Sequence, residues 1–247
     1  MRFAVPLFAW PPDNLMTARR LVLNVLSIFA RSIKQLGKIL MEEYYNVDIR
    51  RAGNTSALQS FYCGVKSMDD FIHDKDNGLA KFIDLGVSNL WLVYKSGSEK
   101  VIAFFALSKD ALVLNSEDKR NIEGHPGKPD SLVSPDNWDR FWDEEKYPAI
   151  ELDYFAVCKE LRGKKEIHLG SFLIDEICRM SHSDVLSATK FITVEALDTP
   201  EYSAVNFYKK CDFQFSEKAR NQAMFNSSMT GERPTTQRMY KIILPEE

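Results

Sequence analysis

Apolar and polar positions alternate from Ala149 to Val157 (AIELDYFAV) and again from Phe191 to Leu197 (FITVEAL). A period of two predicts a strand in each segment. Between them Leu173, Ile174, Ile177 and Cys178 recur at helical spacing, which predicts a helix from Gly170 to about Leu186. Upstream, Asn89–Tyr94 and Lys100–Ser108 read as strands on either side of Ser96-Gly97-Ser98, a hairpin signal. Tyr45–Arg51 alternates weakly and reads as a first strand, and Ser56–Asp84 reads as helical. Residues 109 to 147 are the least regular part, holding Gly124, Pro126, Gly127, Pro129 and Pro135, with a short helix expected near Asn137–Glu145. Toward the end, Tyr202–Lys210 predicts a helix, Asp212–Phe215 the start of a strand and Arg238–Leu244 a closing strand. Strands alternating with helices at this spacing predict an α/β fold.

Composition narrows the class. With 45% hydrophobic and 27% charged residues in 247, the chain can bury a substantial core without disulfide staples. Eleven glycines and ten prolines exclude a collagen-like chain, and no apolar run approaches the ~18 residues of a membrane span. Cys63, Cys158, Cys178 and Cys211 form no CxxC pair, so reduced thiols in a cytoplasmic setting are expected. His73, His125, His168 and His182 show no ligand spacing with one another or with cysteine, so no metal is expected.

Residues 1–40 differ from the rest. Arg2, Arg19, Arg20, Arg31, Lys34 and Lys38 against Asp13 give this segment +5, which leaves the remainder at −8 of the net −3. A remainder that acidic is a poor match for strong capture of nucleic acid. The apolar stretch Leu21–Ala30 follows Arg19 and Arg20 in the outline of a signal peptide, but it contains Asn24 and lacks a convincing cleavage site. An amphipathic helix over Thr17–Leu40 fits equally, as does translation from Met41, and the three readings stay open. The chain therefore divides into an extension, 1–40, and a domain, 41–247.

The order of strand, basic loop and helix after Val157 suits an anion. Amides of a helix N-terminus and a glycine-bearing turn converge there, and Arg162, Lys164 and Lys165 add positive charge. Ser171 follows Gly170 without a GxSxG elbow, so a serine hydrolase is not indicated. Val157, Arg162-Gly163-Lys164 and Leu169-Gly170-Ser171 before Phe172-Leu173-Ile174 resemble the acyl-CoA-binding motif of the GNAT N-acetyltransferases. The stretch Ala204-Val205-Asn206-Phe207-Tyr208 through Asp212-Phe213 resembles the second signature of that family. Phe61-Tyr62-Cys63-Gly64 and Met68-Asp69-Asp70-Phe71-Ile72 are similar to the branch that includes toxins of toxin–antitoxin pairs.

The resemblance spans roughly Tyr45–Leu244. It implies a mixed, mostly antiparallel twisted sheet flanked by helices, with acyl-CoA bound where two parallel central strands splay. It implies acetyl-CoA as co-substrate and a primary amine of a small molecule, peptide or protein as acceptor, and it is compatible with a homodimer. Backbone groups of Phe155, Ala156 and Val157 would hold the pantetheine arm and polarise the thioester carbonyl. Amides from Arg162, Gly163 and Lys164 through His168, Leu169, Gly170 and Ser171 would cradle the pyrophosphate. Tyr208 matches the family tyrosine that faces the CoA sulfur, and a phenol of pKa about 10 can protonate a thiolate. Glu151 and Asp153, on one strand face at i and i+2, are the general-base candidates. The cluster Trp138, Phe141 and Trp142 either lines the acceptor pocket or packs as a lid.

The match has departures. Lys165-Glu166-Ile167 look inserted, His168 and Asp212 stand where glycines are usual, and Glu201 stands where many members have an asparagine that contacts the cofactor. Two rival readings follow: a toxin that acetylates aminoacyl-tRNA, the one route by which nucleic acid would enter, and a silent acyl-CoA-binding module.

Overall fold

A computed structural model describes residues 47–124, 143–164, 168–182 and 189–243. The expectations for residues 1–40, for Trp138, Phe141 and Trp142, for most of the helix at 137–145 and for the inserted Lys165-Glu166-Ile167 lie outside these residues.

Seven strands among the described residues form one sheet in the order β1-β2-β3-β4-β5-β7-β6. They are β1 (Val47–Ala52), β2 (Asn89–Lys95), β3 (Val101–Val113), β4 (Lys146–Val157), β5 (Phe191–Leu197), β6 (Gln214–Phe215) and β7 (Thr236–Ile242). All neighbours pair antiparallel except β4 and β5, which run parallel. The β2–β3 hairpin turns through Gly97, whose φ of 72° suits glycine. Every residue from Val101 to Ala106 is buried, as expected for a central strand covered on both faces. The main core joins this run to Leu173, Ile174 and Ile177 of the helix that follows β4. No helix among the described residues is long and apolar enough to cross a membrane.

The expected helix at 56–84 is three pieces: a 3-10 turn (Ser56–Leu58), α1 (Lys66–His73) and α2 (Leu79–Asp84). The break has a steric cause. The Asp74 carboxylate accepts the backbone N–H groups of Asp76 and Asn77, turning the chain, and a Cβ at Gly78 would lie 2.0 Å from the Phe71 carbonyl oxygen. Residue 78 can only be glycine in this turn. The irregular stretch is also shorter than expected, because β3 continues to Val113 and α3 (Ser116–Gly124) follows it.

Downstream lie α4 (Leu169–His182), α5 (Val205–Lys210) and α6 (Glu217–Thr230). The sequence pattern did not predict α6, which buries no residue and so has no apolar stripe to betray it. Its ends are nevertheless signed. The Ser216 hydroxyl accepts the Ala219 N–H, and Gly231 closes the helix at φ 73°. Buried Asp118 of α3 accepts the N–H groups of Glu217 at 2.6 Å and Lys218 at 3.2 Å, fastening the α6 N-terminus to the long connection between β3 and β4.

Candidate active site

The parallel strands part company early. Ala149, Ile150 and Glu151 pair with Phe191, Ile192 and Thr193, and no pair follows, although β4 continues to Val157 and β5 to Leu197. β4 meanwhile stays paired with β3 along its whole length. The register shows why. Ala106 faces Tyr154 and Leu107 faces Leu152, so Asp153 is an extra residue, a β-bulge that bends the strand. Beyond it Tyr154 packs on Phe71 and Phe82 of α1 and α2, while Phe155 stacks on Phe207 of α5 at 5.9 Å.

The gap is a cavity of about 400 Å³. Leu152–Val157 and Val194, Glu195 and Leu197 form its two strand walls. Leu169, Gly170 and Ser171 close one end, and Tyr202, Ala204, Phe207, Tyr208 and Lys210 another. Of the thirteen site residues read from the sequence, twelve line it: Asp153, Phe155, Ala156, Val157, Arg162, Gly163, Lys164, His168, Leu169, Gly170, Ser171 and Tyr208. Glu151 does not. Cys158 also stands outside, whereas Cys63, Val65 and Met68, unremarked in the sequence as lining residues, line the cavity.

The loop after β4 is wound tightly. The N–H groups of Leu161 and Arg162 both bond to the Cys158 carbonyl at 3.0 Å, and Gly163 takes φ 75°. The His168 carbonyl accepts the Phe172 N–H at 3.1 Å and so begins α4, whose first-turn N–H groups at Leu169, Gly170 and Ser171 have no acceptor within the helix. The Arg162 guanidinium lies over the Tyr202 ring, 5.6 Å from its centroid. Gly170 packs closely: a Cβ there would sit 3.0 Å from Phe207 Cε2 and press on that ring.

The two displaced glycines acquire a physical meaning. His168 has φ 47° and Asp212 φ 65°, both left-handed. Asp212 ends α5 in a Schellman motif, with the Phe213 N–H on the Tyr208 carbonyl and the Asp212 N–H on that of Lys209. The backbone keeps the shape that glycine normally serves, at the cost of strain. His168→Gly is therefore expected to raise the unfolding free energy of the ligand-free protein by about 0.5–1 kcal/mol, strain relief exceeding the entropy glycine adds to the unfolded chain. Urea denaturation measures this, and a loss of stability would show that the imidazole contributes more than the strain costs.

Asp69 explains the motif that contains it. Its carboxylate accepts the N–H groups of Cys63 at 2.7 Å and Gly64 at 2.9 Å, pinning the loop that brings Cys63 and Val65 to the cavity. Burial pushes the Cys63 thiol up to about 11, so it stays protonated.

Tyr208 is 6% exposed, and among the described residues its hydroxyl has no hydrogen-bond partner. Burial raises its pKa well above the ordinary phenol value, which keeps the proton in place. The two carboxylates differ sharply. Glu151 accepts Arg238 Nη1 at 2.6 Å, away from the cavity. Asp153 accepts the Ser88 hydroxyl at 2.6 Å and the Ser108 hydroxyl at 2.9 Å and lines the cavity. Burial raises the pKa of both, opposed for Glu151 chiefly by Arg238 and for Asp153 chiefly by the two hydroxyls.

One parallel pair in an otherwise antiparallel sheet, a bulge at its divergence and a helix N-terminus over the gap decide the architecture. This is the mixed, mostly antiparallel sheet with a splayed parallel pair that the sequence resemblance to the GNAT acetyltransferases implies. No protein-family model and no curated protein matches the sequence. Solved structures similar to it include a bacterial toxin, at 14% identity over 81% of this chain and 92% of that one, with a TM-score of 0.49. AtaTR bound with acetyl-CoA is similar at 15% identity over 80% and 94%, with a TM-score of 0.48. AtaT complexed with acetyl-methionyl-tRNAfMet is similar at 15% identity over 78% and 94%, with a TM-score of 0.46. Glu201, which the sequence resemblance sets where many GNAT members have an asparagine, lines an adjoining cavity with Arg162 and Tyr202.

Proposed function

We propose that this chain is an acetyl-CoA-dependent N-acetyltransferase acting on a primary amine. The observation that carries the reading is the cavity between β4 and β5, where a strand edge without a strand partner, the first-turn amides of α4 and the Tyr208 hydroxyl meet. Acetyl-CoA supplies an acyl group activated as a thioester. A pantetheine arm carries amides that suit an unpaired strand edge, and a pyrophosphate suits the α4 N-terminus with Arg162 and Lys164 beside it. Backbone N–H groups of Phe155–Val157 polarise the acyl carbonyl. Asp153 takes a proton from the attacking amine, directly or through a water, and the Tyr208 hydroxyl gives one to the leaving thiolate.

The cofactor half of the reading is tested by Ser171→Asp. A carboxylate in the first turn of α4 favours the helix but repels a pyrophosphate at the same amides. The variant is expected to fold as wild type and to bind CoA at least about tenfold more weakly by calorimetry. Unchanged affinity would remove the pyrophosphate from this loop.

A second reading of the acceptor is the amino group of aminoacyl-tRNA. The exposed cations Lys66, Arg162, Lys164 and Lys210 around the two adjoining cavities favour it, and AtaT is a neighbour solved with such a product. Thiol release from acetyl-CoA, followed with free amines and peptides in one arm and charged tRNA in the other, separates the two. A tRNA acceptor would show binding that weakens steeply with salt. CoA binding without thiol release in either arm would leave the silent module.

A further inference from the structure

Four carboxylates share one face of the sheet beside the cavity: Asp110 on β3, Glu151 and Asp153 on β4 and Glu195 on β5. Arg238 on β7 projects among them with only 17% of its side chain exposed. Its Nη2 binds Asp110, and its Nη1 binds Glu151 at 2.6 Å and Glu195 at 3.4 Å. The Thr193 hydroxyl donates to Asp110 as well. Asp153 differs: among the described residues it has hydroxyl donors, Ser88 and Ser108, and no cation bound to it.

We propose that Arg238 is a positioning residue for the amine side of the site. By binding Asp110, Glu151 and Glu195 it leaves Asp153 as the carboxylate that exchanges a proton at the cavity, and its charge helps Asp153 lose that proton. The planar guanidinium suits this task because it reaches three carboxylates on three strands at once, which an ammonium does less well. The groups that face Asp153 are Asp110, Glu151, Tyr154 and Arg238 with the two serine hydroxyls. Arg238 is the cation of that set, so its removal leaves Asp153 facing like charges.

The inference rests on the acetyl-transfer reading, and two readouts keep their failures apart. Carbonyl-carbon NMR follows the Asp153 titration without turnover, and thiol release against pH follows the acid limb of activity. Arg238→Gln is expected to move both upward, by less than loss of the two serine hydroxyl bonds would, because an opposite charge nearby lowers a carboxyl pKa. Arg238→Lys, which keeps the charge, is expected to restore most of the shift. Glu151→Gln removes a negative neighbour and keeps Arg238, so it should move the Asp153 titration the opposite way, and it serves as the deciding arm should Arg238→Gln fail to fold. A lower rate with an unmoved acid limb and an unmoved Asp153 titration would make Arg238 a purely structural residue and overturn the proposal. Absence of thiol release in the wild type, with the NMR shifts as described, would sink the acetyl-transfer reading and leave the charge arrangement standing.

Discussion

Tyr208→Phe is expected to lower turnover by about 10²–10⁴ while acetyl-CoA affinity stays nearly intact. The ring is held independently of its hydroxyl. It meets Phe207 and Phe213 edge-on, with centroids 5.1 and 5.2 Å away, and those contacts survive the substitution. What disappears is a cavity-lining hydroxyl of α5 that can hand a proton to a thiolate in the gap. Burial keeps this phenol protonated past its ordinary pKa of about 10, so the wild type should lose no activity to Tyr208 ionisation at neutral or mildly alkaline pH. Steady-state kinetics with a separate CoA titration measures the effect. A change of turnover under about threefold, far below the range for a positioned acid, would make Tyr208 a packing residue. A parallel fall in affinity would make the hydroxyl a binding contact.

Asp153→Asn should produce a loss of similar size, about 10²–10⁴ in turnover, by removing the proton acceptor. The amide is nearly isosteric, and the replacement removes a carboxylate whose charged form burial already disfavours, so stability should change little. The pH profile is the sharper readout. In the wild type, activity should rise as Asp153 loses its proton, at a pH above that of an ordinary aspartate because burial raises the native pKa. In the variant that acid limb should vanish. If it persists unchanged, another group takes the proton, and Glu151 would return as the candidate.

The cavity wall proposed for the cofactor was the more legible half. Residues 152–171 lie close in sequence, and their strand–loop–helix order is a local pattern that periodicity and glycine placement can reveal. The amine side was not. Glu151 and Asp153 look equivalent in the chain, and what divides them is a guanidinium 87 residues from Glu151 and two serines, one just before β2 and one on β3. No local pattern carries such a contact. The helix α6 escaped for the opposite reason: its caps are visible in Ser216 and Gly231, but periodicity is blind to a helix that buries nothing. His168 and Asp212 looked like defects in the family pattern and are instead left-handed residues, because the property under constraint is a backbone angle that glycine serves without strain.

The bulge in β4 makes Asp153 supernumerary in the ladder. Tyr154 and Ala156 share the face of Glu151, and Phe155 and Val157 share that of Leu152, so an uninterrupted strand lacking residue 153 would keep each of these side chains on its present face. Such a strand would have no reason to bend away from β5. One position therefore does two separable things: it lengthens the strand and it places a carboxylate in the cavity wall. Substitution at 153 abolishes the carboxylate and spares the opening, whereas excision abolishes the opening and spares the packing on either side. Variation in this wall should accordingly be easier by exchange of side chains than by change of strand length.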